Sequence, residues 1–232
     1  MNNLLELLGY HRKWHGTSQG YRRRVKNSVN EHIISHIFKV IDIPIGNFVE
    51  FGAIDGKINS NTFKLFLNGW SGLYIESDKN HFEKLVNNFK HIQRIHVSNI
   101  HVDLKNRLDN IIESSIKSDI DFMSIDIDGL DLEIFKSIEK YFPKVLCIEG
   151  GQVLEPFYKI VDSDIEKQNI QQSLYQMTKT LNDKGYELIC AYQDAFFIRG
   201  EYKNKFDISE DIFDAYLNGL LALPRIPYIK LL

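Results

Sequence analysis

NFVEFGAIDG, residues 47–56, is a short apolar run that leads directly into a turn containing two glycines. The run Asn47–Phe51 predicts a β-strand, and Gly52 and Gly56 allow a ligand to approach the backbone where that strand ends. In parallel sheets, cofactors bind at this carboxyl end of the strands. The spacing departs from the G-x-G-x-x-G fingerprint, which disfavours a dinucleotide as the ligand.

Segments of strand-like and helix-like character alternate along the chain. Apolar residues at helical spacing predict helices at about 34–41, 63–70, 82–89, 104–112, 130–138, 169–184 and 213–220. Short apolar runs predict strands at 47–51, 72–75, 92–97, 122–127, 145–148, 187–192 and 195–199. Strands that are apolar on both faces indicate a parallel sheet covered by helices, and the last two predict a hairpin. We therefore predict an α/β Rossmann-like, doubly wound sheet, mostly parallel, with an antiparallel hairpin at the C-terminal edge.

Composition limits the partners and the compartment. The 232 residues fit one main domain, which we place at 46–232, after a basic N-terminal extension and leading helix at 1–45. A net charge of −3 argues against nucleic acid as a partner, and no apolar run approaches the length of a membrane span. The two cysteines lie in apolar runs, which favours a reducing, cytoplasmic location. The basic segment Arg22–Arg24 could bind a phosphate or be a solvated arm.

Two acidic residues follow the first two strands of the predicted sheet. Glu50 ends the first strand and suits a cationic ligand better than a pyrophosphate. Glu76 ends the second strand, 20 residues beyond Gly56, where adenosine-containing cofactors meet an acidic residue that binds the ribose hydroxyls. Asp78 follows closely and is suited to cap the next helix. Both acidic strand ends therefore predict contacts with an adenosyl cofactor.

More carboxylates follow the fourth and fifth strands. Asp126 lies near the end of strand 122–127, Asp128 and Asp131 follow that strand, and Glu149 comes directly after strand 145–148. Crowded carboxylates need a cation, a proton or hydrogen-bond donors nearby. We predict Asp126, Asp128 and Glu149 as catalytic residues, one acting as general base, or alternatively as ligands of Mg²⁺ or Mn²⁺, which prefer oxygen donors. Helix capping is the other interpretation of Asp128 and Asp131.

Four segments of the chain, 49–76, 124–131, 144–149 and 194–199, together resemble the FkbM-type methyltransferases. This resemblance implies a Rossmann-like fold, S-adenosylmethionine as methyl donor, and a sugar, glycan or natural-product hydroxyl as acceptor. It also implies that Asp126 faces the sulfonium or the substrate and that Glu76 binds the ribose. The full set of predicted cofactor-binding residues is Glu50, Gly52, Ala53, Asp55, Asn61, Glu76, Ser77 and Asp126.

Other functions remain open at this point. An NAD-type oxidoreductase could use a related sheet, although the glycine spacing argues against it. A non-enzymatic module that binds an adenosyl ligand is a second alternative, and the clustered carboxylates argue against that. His32 and His36 have a spacing that could hold zinc, but a solvated helix face explains them better. His96 and His101, near the end of the third strand, could contact an adenine.

Overall fold

The computed structural model describes residues 18–103, 108–116, 118–127, 129–149, 172–191, 194–208 and 211–212. Its helices are α1 (Ser18–Ile41), α2 (Phe63–Leu67), α3 (Lys79–Phe89), α4 (Leu108–Ser115), α5 (Asp131–Lys136) and α6 (Leu174–Asp183). Its strands are β1 (Asn47–Phe51), β2 (Ser71–Ile75), β3 (Ile95–Ser98), β4 (Phe122–Ile125), β5 (Val145–Glu149), β6 (Tyr186–Ala191) and β7 (Asp194–Arg199). A 3₁₀ helix, Gly200–Lys205, follows β7. The predicted helix 213–220 lies outside the described residues.

The described strands form one seven-stranded sheet in the order β3-β2-β1-β4-β5-β7-β6. The five strands β1 to β5 are parallel to their neighbours, whereas β7 is antiparallel to both β5 and β6. This arrangement confirms the predicted doubly wound sheet with an antiparallel hairpin at its C-terminal edge. The carboxyl ends of β1, β2 and β4 consequently lie on the same rim, where a cofactor can bind.

Helices cover both faces of the sheet. Because successive strand residues point to opposite faces, Val49 and Phe51 join the core under α4, α5 and α6. Phe48 points the other way and packs in the core formed with α1, α2 and α3. Glu50 has the parity of Phe48, so its side chain points to the face that carries α1. This alternation decides which polar residues can meet at the rim.

Helix α1 is longer than the sequence predicted. It begins at Ser18, within the basic N-terminal extension, whereas the sequence predicted a helix only from about residue 34. Arginine and lysine are good helix formers, but a segment rich in them lacks the apolar period by which the helix was recognised. From Val29 to Ile41 its apolar side chains are buried against the sheet. The domain boundary at residue 45 stays a prediction.

Within the described residues, none of the helices combines the length and the apolar character that crossing a bilayer requires.

Candidate cofactor and catalytic site

The turn after β1 approaches the turn after β4 very closely. Gly52 has φ +72°, a left-handed conformation that glycine adopts without steric cost. A Cβ atom at this position would lie 2.0 Å from the carbonyl oxygen of Asp126. The amides of Gly52 and Ala53 both donate to the carbonyl of Ile75, at 3.1 and 3.2 Å. The structure therefore brings Gly52 and Asp126 together and fixes both turns beside the end of β2.

Glu76 connects the turns that follow β1 and β2. Its Oε2 accepts a hydrogen bond from the amide of Ile54 at 2.7 Å, and its Oε1 accepts one from the amide of Asp78 at 2.8 Å. Ile54 has φ +54°, which is unusual for a β-branched residue, so this bond holds the turn in a strained shape. Each carboxylate oxygen has a second lone pair that can accept a ligand hydroxyl.

The segment after Glu76 is also ordered by side chains. Asp78 caps α3 as predicted, accepting a hydrogen bond from the amide of His81 at 2.8 Å. The Nδ2 of Asn99 donates to the carbonyl oxygens of Glu76 and Ser77, at 2.7 and 3.2 Å. The Ser77 side chain itself is exposed. The end of β2 thus presents the predicted residues Glu76 and Ser77 on one ordered segment.

Asp55 shapes the turn in which it lies. Its Oδ1 accepts hydrogen bonds from the amides of Lys57 and Ile58, at 2.9 and 2.7 Å. Its carbonyl oxygen accepts one from the Nδ2 of Asn88 on α3, at 2.9 Å. These bonds give Asp55 a structural role in the turn, and its predicted contact with the cofactor stays a prediction.

Glu50 is a buried carboxylate enclosed by the segment before α2. Only 3% of the residue is exposed, and its Oε2 accepts hydrogen bonds from the hydroxyls of Ser60 and Thr62, both at 2.7 Å. Its Oε1 accepts one from the amide of Asn61 at 2.6 Å. Burial raises the pKa of Glu50 to about 7, the three donors oppose that rise, and the nearby Asp126 charge adds to it. Glu50 therefore fixes Ser60, Asn61 and Thr62 over the sheet.

Asn61 extends this network across the sheet. Its Nδ2 donates to the Oγ of Ser124 at 2.9 Å and to the Sγ of Cys147 at 3.7 Å. Its Oδ1 accepts a hydrogen bond from the Nδ2 of Asn30 on α1, at 2.9 Å. Protein groups thus engage the Asn61 amide on both sides, and its predicted contact with the cofactor stays a prediction.

Three carboxylates meet at the ends of β4, β5 and β7. Asp126, Glu149 and Asp194 each have an oxygen that lies within 4.8 Å of the corresponding oxygens of the other two. Asp126 follows β4, and Glu149 is paired directly with Asp194 across the two antiparallel strands. We call these three residues the carboxylate cluster. Like charges at this separation require a proton, a cation or hydrogen-bond donors to balance them.

The prediction included two members of the carboxylate cluster and missed the third. Asp126 and Glu149 were predicted. Asp128 lies outside the described residues. The sequence analysis placed Asp194 between the two hairpin strands and assigned it no role in the site. Asp194 begins β7 instead and is fully buried. Its place beside Glu149 depends on the antiparallel register, which the sequence does not show. An acidic residue at the start of an otherwise apolar strand was the available signal.

Asp131 organises the turn between β4 and α5. The residue is 1% exposed, and its carboxylate accepts hydrogen bonds from the amides of Ile127 and Gly129, both at 2.9 Å. Burial raises its pKa to about 7. Asp131 therefore holds the backbone that follows Asp126. It does not cap α5, as the alternative interpretation expected, because Leu130 is the N-cap residue of that helix and Asp131 is its first residue.

The histidines that the sequence suggested lie on the surface. His32 and His36 are exposed on α1, which agrees with a solvated helix face. His96 and His101 are also exposed, at β3 and in the segment after it. Within the described residues, the group that could hold a metal is the carboxylate cluster and contains no histidine.

Glu50 is expected to make folding stability depend on pH. Its pKa rises from 4.5 to about 7 on folding, so its contribution to stability is full below pH 4.5 and is lost as the pH rises through 7. Relative to wild type, Glu50→Gln should therefore gain stability between pH 4 and pH 8, by on the order of 3 kcal/mol. Urea unfolding of both proteins across this range measures the difference.

The control for this measurement is Glu83→Gln, which removes an exposed carboxylate on α3. Asp131 is present in wild type and in both variants, so its own contribution cancels in the comparison. Parallel stability curves for wild type and Glu50→Gln would show that the Glu50 carboxyl is not destabilised by burial.

The comparisons with known proteins agree with this geometry. The sequence matches the Methyltransferase FkbM domain over residues 57–188, and no curated protein matches it. A Klebsiella pneumoniae protein proposed to be an O-methyltransferase is 13% identical, with 85% of this chain and 95% of that chain covered and a TM-score of 0.51. The CurJ carbon methyltransferase is also 13% identical, with 75% and 54% covered and a TM-score of 0.51.

At 13% identity these structures show the fold alone, which is the Rossmann-like fold of methyltransferases. The domain match is more specific, because it covers more than half of the chain and includes Glu76, Asp126 and Glu149. The chain therefore belongs to the FkbM methyltransferase family and is an S-adenosylmethionine-dependent methyltransferase.

Proposed function

We propose that this protein transfers the methyl group of S-adenosylmethionine to a hydroxyl oxygen of a sugar, a glycan or a glycosylated natural product. The observation that carries the proposal is the position of the carboxylate cluster. One of its members, Asp126, lies directly against Gly52, where the turns after β1 and β4 meet. A site that deprotonates a hydroxyl beside a bound cofactor needs a general base, and a carboxylate oxygen can serve as one.

The residues at the ends of β1 and β2 fit the cofactor. S-adenosylmethionine supplies an electrophilic methyl group on a positively charged sulfur atom. Gly52 exposes its backbone at the rim of the sheet, and Glu76 retains lone pairs that can accept the two ribose hydroxyls. The backbone carbonyl of Asp126 lies against Gly52, and the negative charge of its side chain favours a sulfonium at this rim. Ser77, exposed next to Glu76, adds a further hydroxyl at the ribose end.

The carboxylate cluster provides the chemistry that a hydroxyl acceptor requires. An alcohol is a weak nucleophile until its proton is removed, so a base must contact it during the transfer. Asp126 and Glu149 are half-buried and can be reached from the rim, whereas Asp194 is fully buried behind them. We assign the acceptor proton to Asp126 or Glu149. The acceptor oxygen forms its bond to the methyl carbon as the sulfur–methyl bond breaks, and S-adenosylhomocysteine is the leaving group. Alignment of these atoms supplies much of the rate enhancement.

Glu76 is expected to bind the ribose, and calorimetry with S-adenosylhomocysteine measures this directly. Glu76→Gln should weaken binding at least about tenfold, because a hydrogen bond to a charged acceptor contributes roughly 1.5–3 kcal/mol. Asp78→Asn is the matched control, since it neutralises a carboxylate two residues away and retains the oxygen that caps α3. Unchanged affinity in Glu76→Gln would remove Glu76 from the cofactor site.

Methyl transfer to oxygen is tested with radiolabelled S-adenosylmethionine and a panel of hydroxyl-bearing glycans. We expect label on an acceptor oxygen, and we expect Asp126→Asn to lower kcat about 10²-fold or more if Asp126 is the base. Label found on carbon or nitrogen would contradict O-methylation. Binding of the cofactor without transfer to any class of acceptor would favour a binding module. Binding of NAD in its place would favour an oxidoreductase.

A divalent cation is a second candidate for the group that activates the acceptor hydroxyl. The three oxygens of the carboxylate cluster lie close enough to converge on one ion, and such oxygen ligands suit Mg²⁺ or Mn²⁺. An ion held there would lower the pKa of a hydroxyl bound to it. Asp126, Glu149 and Asp194 would hold the ion, and Asp128 was also predicted as a ligand.

Chelation separates the two candidates. If a cation activates the hydroxyl, thorough EDTA treatment should lower activity at least about tenfold, and Mg²⁺ or Mn²⁺ should restore it. Measuring S-adenosylhomocysteine binding before and after chelation controls for damage to the cofactor site. Full activity after chelation would assign the proton to a carboxylate without a metal.

A further inference from the structure

Asn30 is a polar residue in an apolar part of the core. It lies on α1 with none of its surface exposed, and its neighbours Val29, Ile33 and Ile34 are buried hydrophobic residues. At helical spacing it continues the apolar face formed by Ile33, Ile34 and Ile37. A buried amide at such a position loses its contacts with water and needs hydrogen-bond partners within the protein.

The two hydrogens of the Asn30 amide have two acceptors. The Nδ2 donates to the Oδ1 of Asn61 at 2.9 Å, and it also donates to the Oδ2 of Asp194. Both partners are acceptor oxygens, so the amide nitrogen and not the amide oxygen must face them. Through these bonds α1 contacts the segment before α2, at Asn61, and one member of the carboxylate cluster, Asp194.

The Asn30 amide includes one unfavourable group. The Oδ1 of Asn30 is buried without a hydrogen-bond partner among the described residues, which is unfavourable. An apolar residue of the same size would avoid this cost, but it would remove the donor that Asp194 and Asn61 share. The hydrogen bonds to Asp194 and Asn61 are therefore the feature that requires asparagine.

We propose that Asn30 is a positioning residue of the methyltransferase site, an inference that rests on the proposed function. Its amide holds Asp194 behind Asp126 and Glu149 and thereby fixes the separation of the three carboxylates. Helix α1, which precedes the matched segment 57–188, thus forms part of the catalytic apparatus. Gly52 is held instead by the carbonyl of Ile75 at the end of β2, and the Glu76 carboxylate by the amides of Ile54 and Asp78.

Because different bonds hold Asp194 and the cofactor residues, we expect a change at Asn30 to affect catalysis and not cofactor binding. Asn30→Leu replaces the amide by an apolar side chain of similar size, so kcat should fall at least about tenfold while affinity for S-adenosylhomocysteine stays within about twofold. The thermal unfolding temperature should also fall, because Asp194 and Asn61 lose the donor that they share while both stay buried. Asn30→Asp, which places a carboxylate against Asp194, should also lower kcat.

The matched control is Ile34→Val, which removes one methyl group from the same helix face and has no polar contact to disturb. It should also lower the unfolding temperature but leave kcat unchanged, so it separates a loss of stability from a loss of catalysis. Equal kcat in wild type and Asn30→Leu would overturn the inference. So would a loss of kcat accompanied by an equal loss of cofactor affinity, which would indicate a general structural defect.

Crystal structures of wild type and Asn30→Leu give a measurement that does not depend on activity. The inference expects the Asp194 carboxylate and the Asn61 amide to shift in the variant, and unchanged positions would overturn it. A wild-type protein that transfers no methyl group to any hydroxyl would contradict the proposed function, and the structural comparison would still decide the role of Asn30. Should Asn30→Leu fail to fold, Asn30→Asp provides the same comparison.

Discussion

The buried carboxylate of Glu50 is the interaction on which the geometry of this site depends. Three donors from consecutive residues, Ser60, Asn61 and Thr62, converge on its two oxygens. Burial raises the pKa of the group to about 7, so holding it at the sheet has a cost that these bonds offset. In return, the segment between β1 and α2 has one conformation, and Asn61 is placed over the ends of β4 and β5.

Strand alternation explains why so many polar groups meet on one face. Glu50 is paired with Ser124, and Ser124 with Cys147, in the parallel register of β1, β4 and β5. Because side chains two residues apart share a face, Asp126 and Glu149 continue this row toward the rim. Asp194 joins it through β7. The same face carries α1, so a polar side chain of α1 that points to the sheet, such as Asn30, meets this row of polar groups on its buried side.

The sequence predicted most of the fold and part of the site, for reasons that differ between residues. Apolar strands followed by residues at helical spacing are local patterns, so the sheet, Glu76 and Asp126 could be recognised. Asp194 could not be recognised. It lies beside Glu149 because the two antiparallel strands pair these residues directly, although they are 45 positions apart in the sequence. The start of α1 was missed because charged residues carry no apolar period. Asn30 required both the helix and its contact with the turn.

Electrostatics connects Asp194 and Asn30, the two residues that the sequence did not reveal. The oxygens of Asp126, Glu149 and Asp194 repel one another when ionised, and the repulsion is strongest for Asp194, which water cannot reach. An amide donor at the buried side of Asp194 stabilises its charge without occupying the rim, where the acceptor must bind. The thiol of Cys147 on β5 donates to the same Asp194 oxygen, at 3.9 Å, so donors from the sheet and from α1 meet there. The helix that lies outside the matched segment therefore supplies one of the donors on the buried side of the carboxylate cluster.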